Sequence, residues 1–513
     1  MVEQHIISAG VLRLLQRAAQ YIAERQQRSA YLVGGSLRNL LLNEPCADWD
    51  IVIDGPGAQV ARGLADTLGG HYVHMHDKAC RVVAGHGHDE IIIDIAPLIG
   101  NTIEDDLRQR DFTINAMAAL LQEIVSYLST SDSSGEPVPL IDPLHGSADA
   151  HARVLRAVDE RVFQHDPLRM LRAVRLGARY RLTIEPATAQ FIRRDAALLP
   201  TVASERIHDE LYAILAPIGA TEQLYVLDRL DLLTTLMPEF IPARGMPQPR
   251  PHCWDVLEHS LHTVDTLEQL TVALQQGGQA TQLPLLQQSS GADFTEIQSL
   301  LQEAQQQGIF QFADLDAPRM KLAALLHDIG KPETYSSGED GAIHFYGHQQ
   351  AGVPSVSQIM KRLSASTQDR RLAQLITAHH MRPGQLGQDG PVTQRAIRRY
   401  FVDLGPTGIH VALLSLADHL ATYGPQWEQR PPAVWERHLS VVRLLLDSYI
   451  RRRAHILPPQ LISGNELMRR LQVEPGPIIG QLLEYIAEAQ AEDRVHSKEE
   501  ALWLAEEYLQ EVP

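Results

Sequence analysis

Leu12, Leu15, Ala19 and Ile22 recur at helical spacing and predict an amphipathic helix over residues 11–28. A short apolar run, Ala30 to Val33, reads as a strand that runs into Gly34-Gly35, with a second helix from about Ser36. Residues 49–53 form the next expected strand and 59–68 a helix, while 71–75, 80–84 and 90–95 read as further strands. The sum is a small α/β unit. From residue 112 onward helical patterns dominate, apart from an expected strand pair at about 121–127 and 138–141. From about Gln275 to Gln307 the chain is rich in Gln, Ser and Gly, which predicts an insertion of loop and weak helix with no functional element. Pro-rich breaks at 242–251 and 457–459 mark candidate boundaries.

A chain of 513 residues implies more than one domain. Its hydrophobic share of 44% supports substantial cores, and the low aromatic share of 5% beside abundant Leu and Ala favours helix. Cys46, Cys80 and Cys253 show no paired spacing, which speaks against a disulfide framework or a cysteine zinc site and fits a reducing compartment. Neither a signal peptide nor a stretch of roughly 18 apolar residues is legible. The expectation is a soluble, cytoplasmic protein without a membrane partner. A net charge of −18 speaks against a general nucleic-acid binder. Locally the balance reverses: residues 153–181 hold eight arginines against Asp159, Glu160 and Asp166, which suggests a phosphate-facing strip. Arg395, Arg398 and Arg399, and Arg451 to Arg453, read at least as readily as solvated helix faces.

Gly34-Gly35-Ser36-Leu37-Arg38 lies between a strand and a helix, where free N–H groups and close backbone approach favour an anion. Asp48-Trp49-Asp50 opens a strand 13 residues after Gly35, and strand alternation puts both carboxylates on one face. Oxygen ligands beside a phosphate-binding turn are what Mg²⁺-triphosphate chemistry requires.

The run Gly34 to Leu41 followed by Asp48-Trp49-Asp50 resembles the head domain of class II tRNA nucleotidyltransferases and bacterial poly(A) polymerases, in the DNA polymerase beta superfamily. Arg110-Asp111 with Phe112 to Ala118 resembles the family's Arg-Arg-Asp motif, and Asp142 to Asp149 with Gly146 and Arg156 its hinge motif. Asp166 to Arg175 is similar to its amino-acid template motif, and Ser204 to Ile207 to the helical motif that follows. The resemblance implies transfer from CTP or ATP to a tRNA 3′-hydroxyl, with Asp48 and Asp50 holding Mg²⁺ and Asp94 a third carboxylate. It implies nucleotide contacts from Gly34, Gly35, Arg38, Arg110, Asp111, Asp149, Asp166, Arg169 and Arg172, with Asp166 and Arg169 reading the base edge. The chain departs from the family pattern at Asn39, Gln109 and His165. Only 13 residues separate Pro97 from Asp111, where CCA-adding and A-adding members of the family it resembles carry a long flexible loop. This favours a CC-adding enzyme with a separate A-adding partner in the same cell, full CCA addition and A addition being the alternatives. Poly(A) polymerase, and a phosphohydrolase or tRNA-binding protein with an inactive head, are the other readings.

His327-Asp328 ends the apolar run Leu322 to Leu326, and His259, His348, His379-His380 and Asp418 lie in or near helical patterns. Imidazoles and carboxylates so spaced can converge on a divalent metal within a helix bundle. The pattern resembles the HD phosphohydrolase superfamily, mapping to His259, His327, Asp328 and Asp418, with His348 and either His379 or His380 as extra ligands and His262 competing for the first position. It implies metal-assisted phosphate-ester hydrolysis, by a transition metal or Mg²⁺. The expected architecture is an α/β nucleotidyltransferase head (1–145), a helical neck (146–245), an HD helical bundle (246–425, with an insertion at about 275–310) and a helical tail (426–513).

Overall fold

The computed structural model describes residues 7–26, 28–46, 48–76, 79–129, 140–277, 292–388, 390–424 and 432–511. They divide into two compact units, one reaching Glu210 and including Arg229–Thr235, the other comprising Leu211–Asp228 and Leu236 onward.

In the first unit, α1 (Ala9–Gln20) starts where the Ser8 hydroxyl accepts the Val11 N–H, and a π-helical turn, Tyr21–Gln26, extends it. Strands β1 (Ala30–Val33), β2 (Asp48–Ile53), β3 (His71–His76), β4 (Ala79–Ala84), β5 (Ile91–Pro97) and β6 (Ala118–Leu120) form one mixed sheet, ordered β3-β4-β5-β2-β1-β6. Within this sheet, among the described residues, only β2 and β5 pair in parallel, through α3 (Gly57–Leu68) and the β3–β4 hairpin; α2 (Gly34–Leu42) links β1 to β2. Alternation sorts the faces. Trp49, Ile51, Ile53, Ile91, Ile93 and Ile95 join one core with apolar residues of α1 and α3. Asp48, Asp50 and Asp94 lie on the opposite face.

One expectation fails here. Residues 121–127 are not a strand but part of α5 (Leu121–Ser129), because Leu121, Ile124 and Val125 are buried at helical spacing against α1. Ile141 makes only an isolated bridge to Ala118, and residues 138 and 139 lie outside the described residues. The unit continues through α4 (Ile103–Leu107, before β6), α6 (Gly146–His151), α7 (Val162–His165), α8 (Arg169–Tyr180), α9 (Pro186–Asp195) and α10 (Ser204–Leu215), whose last turn enters the second unit.

The second unit is helical. Its bundle contains α11 (Val256–Gln276), α12 (Ala292–Gln306), α13 (Pro318–Leu326), α14 (His348–Arg362), α15 (Thr367–His379), α16 (Gln394–Leu404), α17 (Thr407–Tyr423) and α18 (Pro432–Arg451). A smaller core of Ile462, Leu467, Leu482, Ile486 and Leu504 joins α19 (Gly464–Leu471), α20 (Pro477–Ala491) and α21 (Lys498–Glu511). The Gln-rich stretch differs from expectation: residues 278–291 lie outside the described residues, but α12 packs on α18 and buries Phe294, Ile297, Leu300 and Leu301. Its glutamines hide an i, i+3, i+6, i+7 apolar stripe. The two late arginine clusters are ties within the fold. Arg395 and Arg399 bind Glu488 at 2.9 and 3.1 Å, Arg398 binds Glu484, Arg451 binds Glu303 at 2.8 Å and Arg452 binds Asp447 at 2.5 Å. No single helix among the described residues is long and apolar enough to cross a membrane.

Candidate active sites

In the first unit the β2–β5 register places Asp50 beside Asp94, and the β4–β5 register places Arg81 beside Asp94. Arg81 grips both Asp94 oxygens at 2.8 Å. Asp48 is exposed at the strand start and Asp50 half-buried, with Trp49 turned to the core between them. Burial, and the carboxylates of Asp94 and Asp48, push the Asp50 carboxyl above its usual range against the pull of Arg110. Crowded carboxylates of this kind suit a divalent cation.

The glycine turn is sterically required. Gly34 has φ +63°, and a Cβ there would lie 2.8 Å from Arg110 Nη1. Arg110 is held by Asp106, whose Oδ2 accepts from Nε at 3.0 Å and Nη2 at 2.9 Å. A cavity of about 520 Å³ is lined by Asp50, Asp94, Arg110, Asp166, Arg169 and Arg206, with Gly34, Gly35, Asp111 and Arg172 also on its wall. Asp166 accepts from Arg206 Nη2 at 2.9 Å and the Leu168 N–H at 3.2 Å. The Arg169 guanidinium donates to the carbonyls of Gln109 at 3.1 Å and Arg110 at 3.4 Å.

Two expected nucleotide contacts lie elsewhere. Arg38 is buried and absent from the cavity wall; its guanidinium donates to Asn115 at 2.6 Å, Tyr180 at 2.7 Å and Asn39 at 2.9 Å. Asp149 is likewise off the wall, accepting from Thr113 at 2.7 Å and Arg156 at 3.0 Å. It belongs with the hinge group, where Asp142 accepts the Gly146 and Ser147 N–H groups at 2.7 and 3.0 Å. A Cβ on Gly146 would strike the Thr113 carbonyl oxygen at 2.0 Å. The arginine strip is partly paired within the fold: Arg156, Arg172 and Arg175 pair with Asp149, Asp111 and Glu210 and Arg153 donates to the Tyr180 carbonyl, while Arg153, Arg161, Arg172, Arg179 and Arg181 remain exposed.

In the second unit His259 and His327 turn Nε2 toward Asp418 at 2.9 and 3.7 Å, and toward Asp328 at 3.6 and 3.2 Å. On the other side of Asp328, His348 and His380 place Nε2 at 3.2 and 3.4 Å from Oδ1. His327, His348 and His380 each hold Nδ1 on a backbone carbonyl, of Ala324, Phe345 and Thr377, at 2.8–2.9 Å. That turns each Nε2 toward the carboxylates, where a metal would take it. His327 Nε2 and Asp328 Oδ1 are buried and make no hydrogen bond, so the donor set fits a cation better than it fits itself. Burial opposes a charge on His327, yet Asp328 and Asp418 outweigh it and push the imidazole up to about 10. His379 points to Arg382 at the surface, so the geometry selects His380 from the pair. His262 stacks on Trp254, ring centres 4.0 Å apart, outside the cluster. Lys331, unnoticed in the sequence although three residues after Asp328, reaches it at 2.5 Å. The cluster opens onto a cavity of about 920 Å³ lined by His252, Lys331, Tyr346, His419, Arg437 and His438 among others.

A protein of Deinococcus radiodurans named A-adding tRNA nucleotidyltransferase is 33% identical over 493 residues, 94% of this chain and 96% of that protein. The chain belongs to the tRNA nucleotidyltransferase family. CC-adding tRNA nucleotidyltransferases of Geobacter sulfurreducens (28%; 92% of this chain, 90% of the relative) and Thermus thermophilus (29%; 92% of each) are further relatives in that family. Residues 30–101 match the Poly A polymerase head domain, 181–244 the probable RNA and SrmB-binding site of polymerase A, and 256–423 the HD domain. The fold is shared with a CCA-adding enzyme solved with CTP (TM-score 0.60, 21% identical, covering 99% and 97% of the two chains). It is shared also with the Thermotoga maritima CCA-adding enzyme complexed with tRNA (TM-score 0.56, 20% identical, 98% and 97%). The protein is thus a nucleotidyltransferase with a mixed-sheet head followed by a helical region that carries an HD domain.

Proposed function

We propose that this nucleotidyltransferase adds C residues to tRNA 3′ ends and stops at CC. Asp48, Asp50 and Asp94 would hold Mg²⁺, which supplies charge neutralisation at the triphosphate. The tRNA 3′-hydroxyl forms the new P–O bond at the α-phosphate of CTP and gives up its proton to solvent, and the bond to the β-phosphate breaks, its electron pair leaving with pyrophosphate. Asp166 accepts the exocyclic amine of the base, and Arg169 donates to its ring acceptors. Both are tethered before any nucleotide enters, Asp166 by Arg206 and Arg169 by two carbonyls.

The observation that carries the specificity is the short link from Pro97 to Asp111. It folds into α4, whose Thr102 and Asp105 form a reciprocal capping box. Asp106 then ties the Ile99 N–H at 3.2 Å and Arg110 at 2.9 Å. So braced a segment has no slack with which to reshape the pocket from C to A. The Deinococcus relative supports a second reading, addition of A alone. Transcripts ending at the discriminator base, at C and at CC, given CTP and ATP singly and together, separate the two. Products that stop at CC with ATP present support the proposal; A added only to CC ends establishes the second reading; completion to CCA from the discriminator base, or no addition, overturns both. A CC-only enzyme further requires a separate A-adding enzyme in its cell.

In the HD bundle, His259, His327, Asp328 and Asp418, with His348 and His380, would hold a divalent metal that polarises a phosphate ester for hydrolysis. Lys331 lies on Asp328 at the cavity wall, where a phosphate oxygen can be met. We assign residues 1–145 to the head, 146–245 to the neck, 246–425 to the HD region and 426–513 to a tRNA-holding tail.

A further inference from the structure

We infer that Tyr180 is a positioning residue for nucleotide selection: its hydroxyl closes a polar circuit that pins both ends of α8, the helix that begins with Arg169, to the head. The inference rests on the proposed reading of the base by Asp166 and Arg169.

The circuit starts on α8 itself. Arg172 Nε lies 2.6 Å from Asp111 Oδ2. Asp111 Oδ1 accepts from Asn115 Nδ2 at 2.9 Å, and Asn115 Oδ1 accepts from Arg38 Nη1 at 2.6 Å. Arg38 Nη2 then donates to the Tyr180 hydroxyl at 2.7 Å, its Cζ lying 4.2 Å from the ring centre. Tyr180 is the last residue of α8, so the path returns to the helix it left. Arg38, Asp111, Asn115 and Tyr180 are all buried, where water does not compete for these bonds.

The two ties stand eight residues apart, or ~12 Å along the helix axis. The first turn of α8 is held to the head by Arg172 and by the Arg169 guanidinium on the Gln109 and Arg110 carbonyls, and the Tyr180 tie at the far end is what fixes the helix direction about that turn. Arg169 lies one turn before the Arg172 tie, so a tilt moves its guanidinium relative to the bound base. The chain's departure at Asn39 gives the circuit its form. With an amide there, Arg38 has only neutral direct partners, Asn39, Asn115 and Tyr180. Tyr180 is the one of them that joins α8 to the head.

Tyr180→Phe tests this in the full-length protein with Mg²⁺ and tRNA transcripts. The ring is kept, and Arg38 Nη2 keeps its bond to Asn39, so the fold survives while the tie is cut. Expected is about a tenfold fall in the ratio of kcat/KM for CTP to that for ATP or UTP, the scale of one lost charge-assisted bond. KM for tRNA should not move, and amide exchange in the second half of α8 should quicken. An unchanged ratio overturns the inference. So does an equal loss for all nucleotides with a lower melting temperature, which is damage without selection. Arg172→Met cuts the other tie. If its effect on the ratio multiplies independently with that of Tyr180→Phe, the circuit is not a unit and the inference falls. Wild-type protein that adds no nucleotide would instead refute the proposed function.

Discussion

Arg81→Ala should make the head bind Mg²⁺ more tightly. Arg81 holds both oxygens of Asp94, with side chains 30% and 21% exposed. If Asp94 is a metal ligand, the wild type must loosen that pair whenever the metal binds. Charge-assisted bonds contribute about 1.5–3 kcal/mol when shielded. Solvent at this rim lowers the figure to about 1–2 kcal/mol. Removing Arg81 abolishes the competition and leaves Asp94, Asp50 and Asp48 mutually repelling until a cation arrives. The Mg²⁺ concentration giving half-maximal CTP transfer should therefore fall about fivefold to thirtyfold. The assay is a Mg²⁺ titration at saturating CTP and tRNA, repeated on an Asp94→Asn background, where the effect of Arg81→Ala should vanish. A half-saturating Mg²⁺ that is unchanged or higher in Arg81→Ala would refute the reasoning.

In the HD bundle, His380→Ala should lower bound Co²⁺ in a spectroscopic titration while His379→Ala leaves it near wild type, since of these two His380 alone directs Nε2 at Asp328. Leu300→Ala should cost about 2–5 kcal/mol in urea unfolding followed in the second unit, because this Gln-rich helix buries Leu300 completely; a loss under 1 kcal/mol would return the segment to the status of an insertion. Burial pushes His438 down to about 4 from its usual 6.5. The unfolded chain then takes up a proton that the folded chain refuses, so stability should fall as pH drops from about 6.5 to 4, by up to about 3 kcal/mol from this group. His438→Gln should flatten that slope, and an undiminished slope would place the acid sensitivity elsewhere.

Asp48 and Asp50 were legible as a pair because strand alternation is a local rule, and His327-Asp328 because it ends an apolar helix. The partners of the arginine strip were not legible, because they are not local. Charge along a sequence does not show that Asp111, Asp149 and Glu210 come back to neutralise Arg172, Arg156 and Arg175. The strand expected at about 121–127 is a helix, because packing on α1 buries Leu121, Ile124 and Val125 at helical spacing. The glutamines of α12 masked a stripe that only its contact with α18 reveals.

What the sequence alone determined is whatever depends on neighbours two to four residues apart: the glycine turn, the facing carboxylates, the helix that delivers His327, and the order of motifs. The tertiary structure decided the rest. Arg81 meets Asp94 because antiparallel pairing sets their register, Arg38 leaves the cavity because Tyr180 and Asn115 claim it, and His380, not His379, faces Asp328 with its Nδ1 on the Thr377 carbonyl. Backbone geometry repeats every two or 3.6 residues and is written locally, whereas the partner of a buried charge is settled by which distant segment packs beside it.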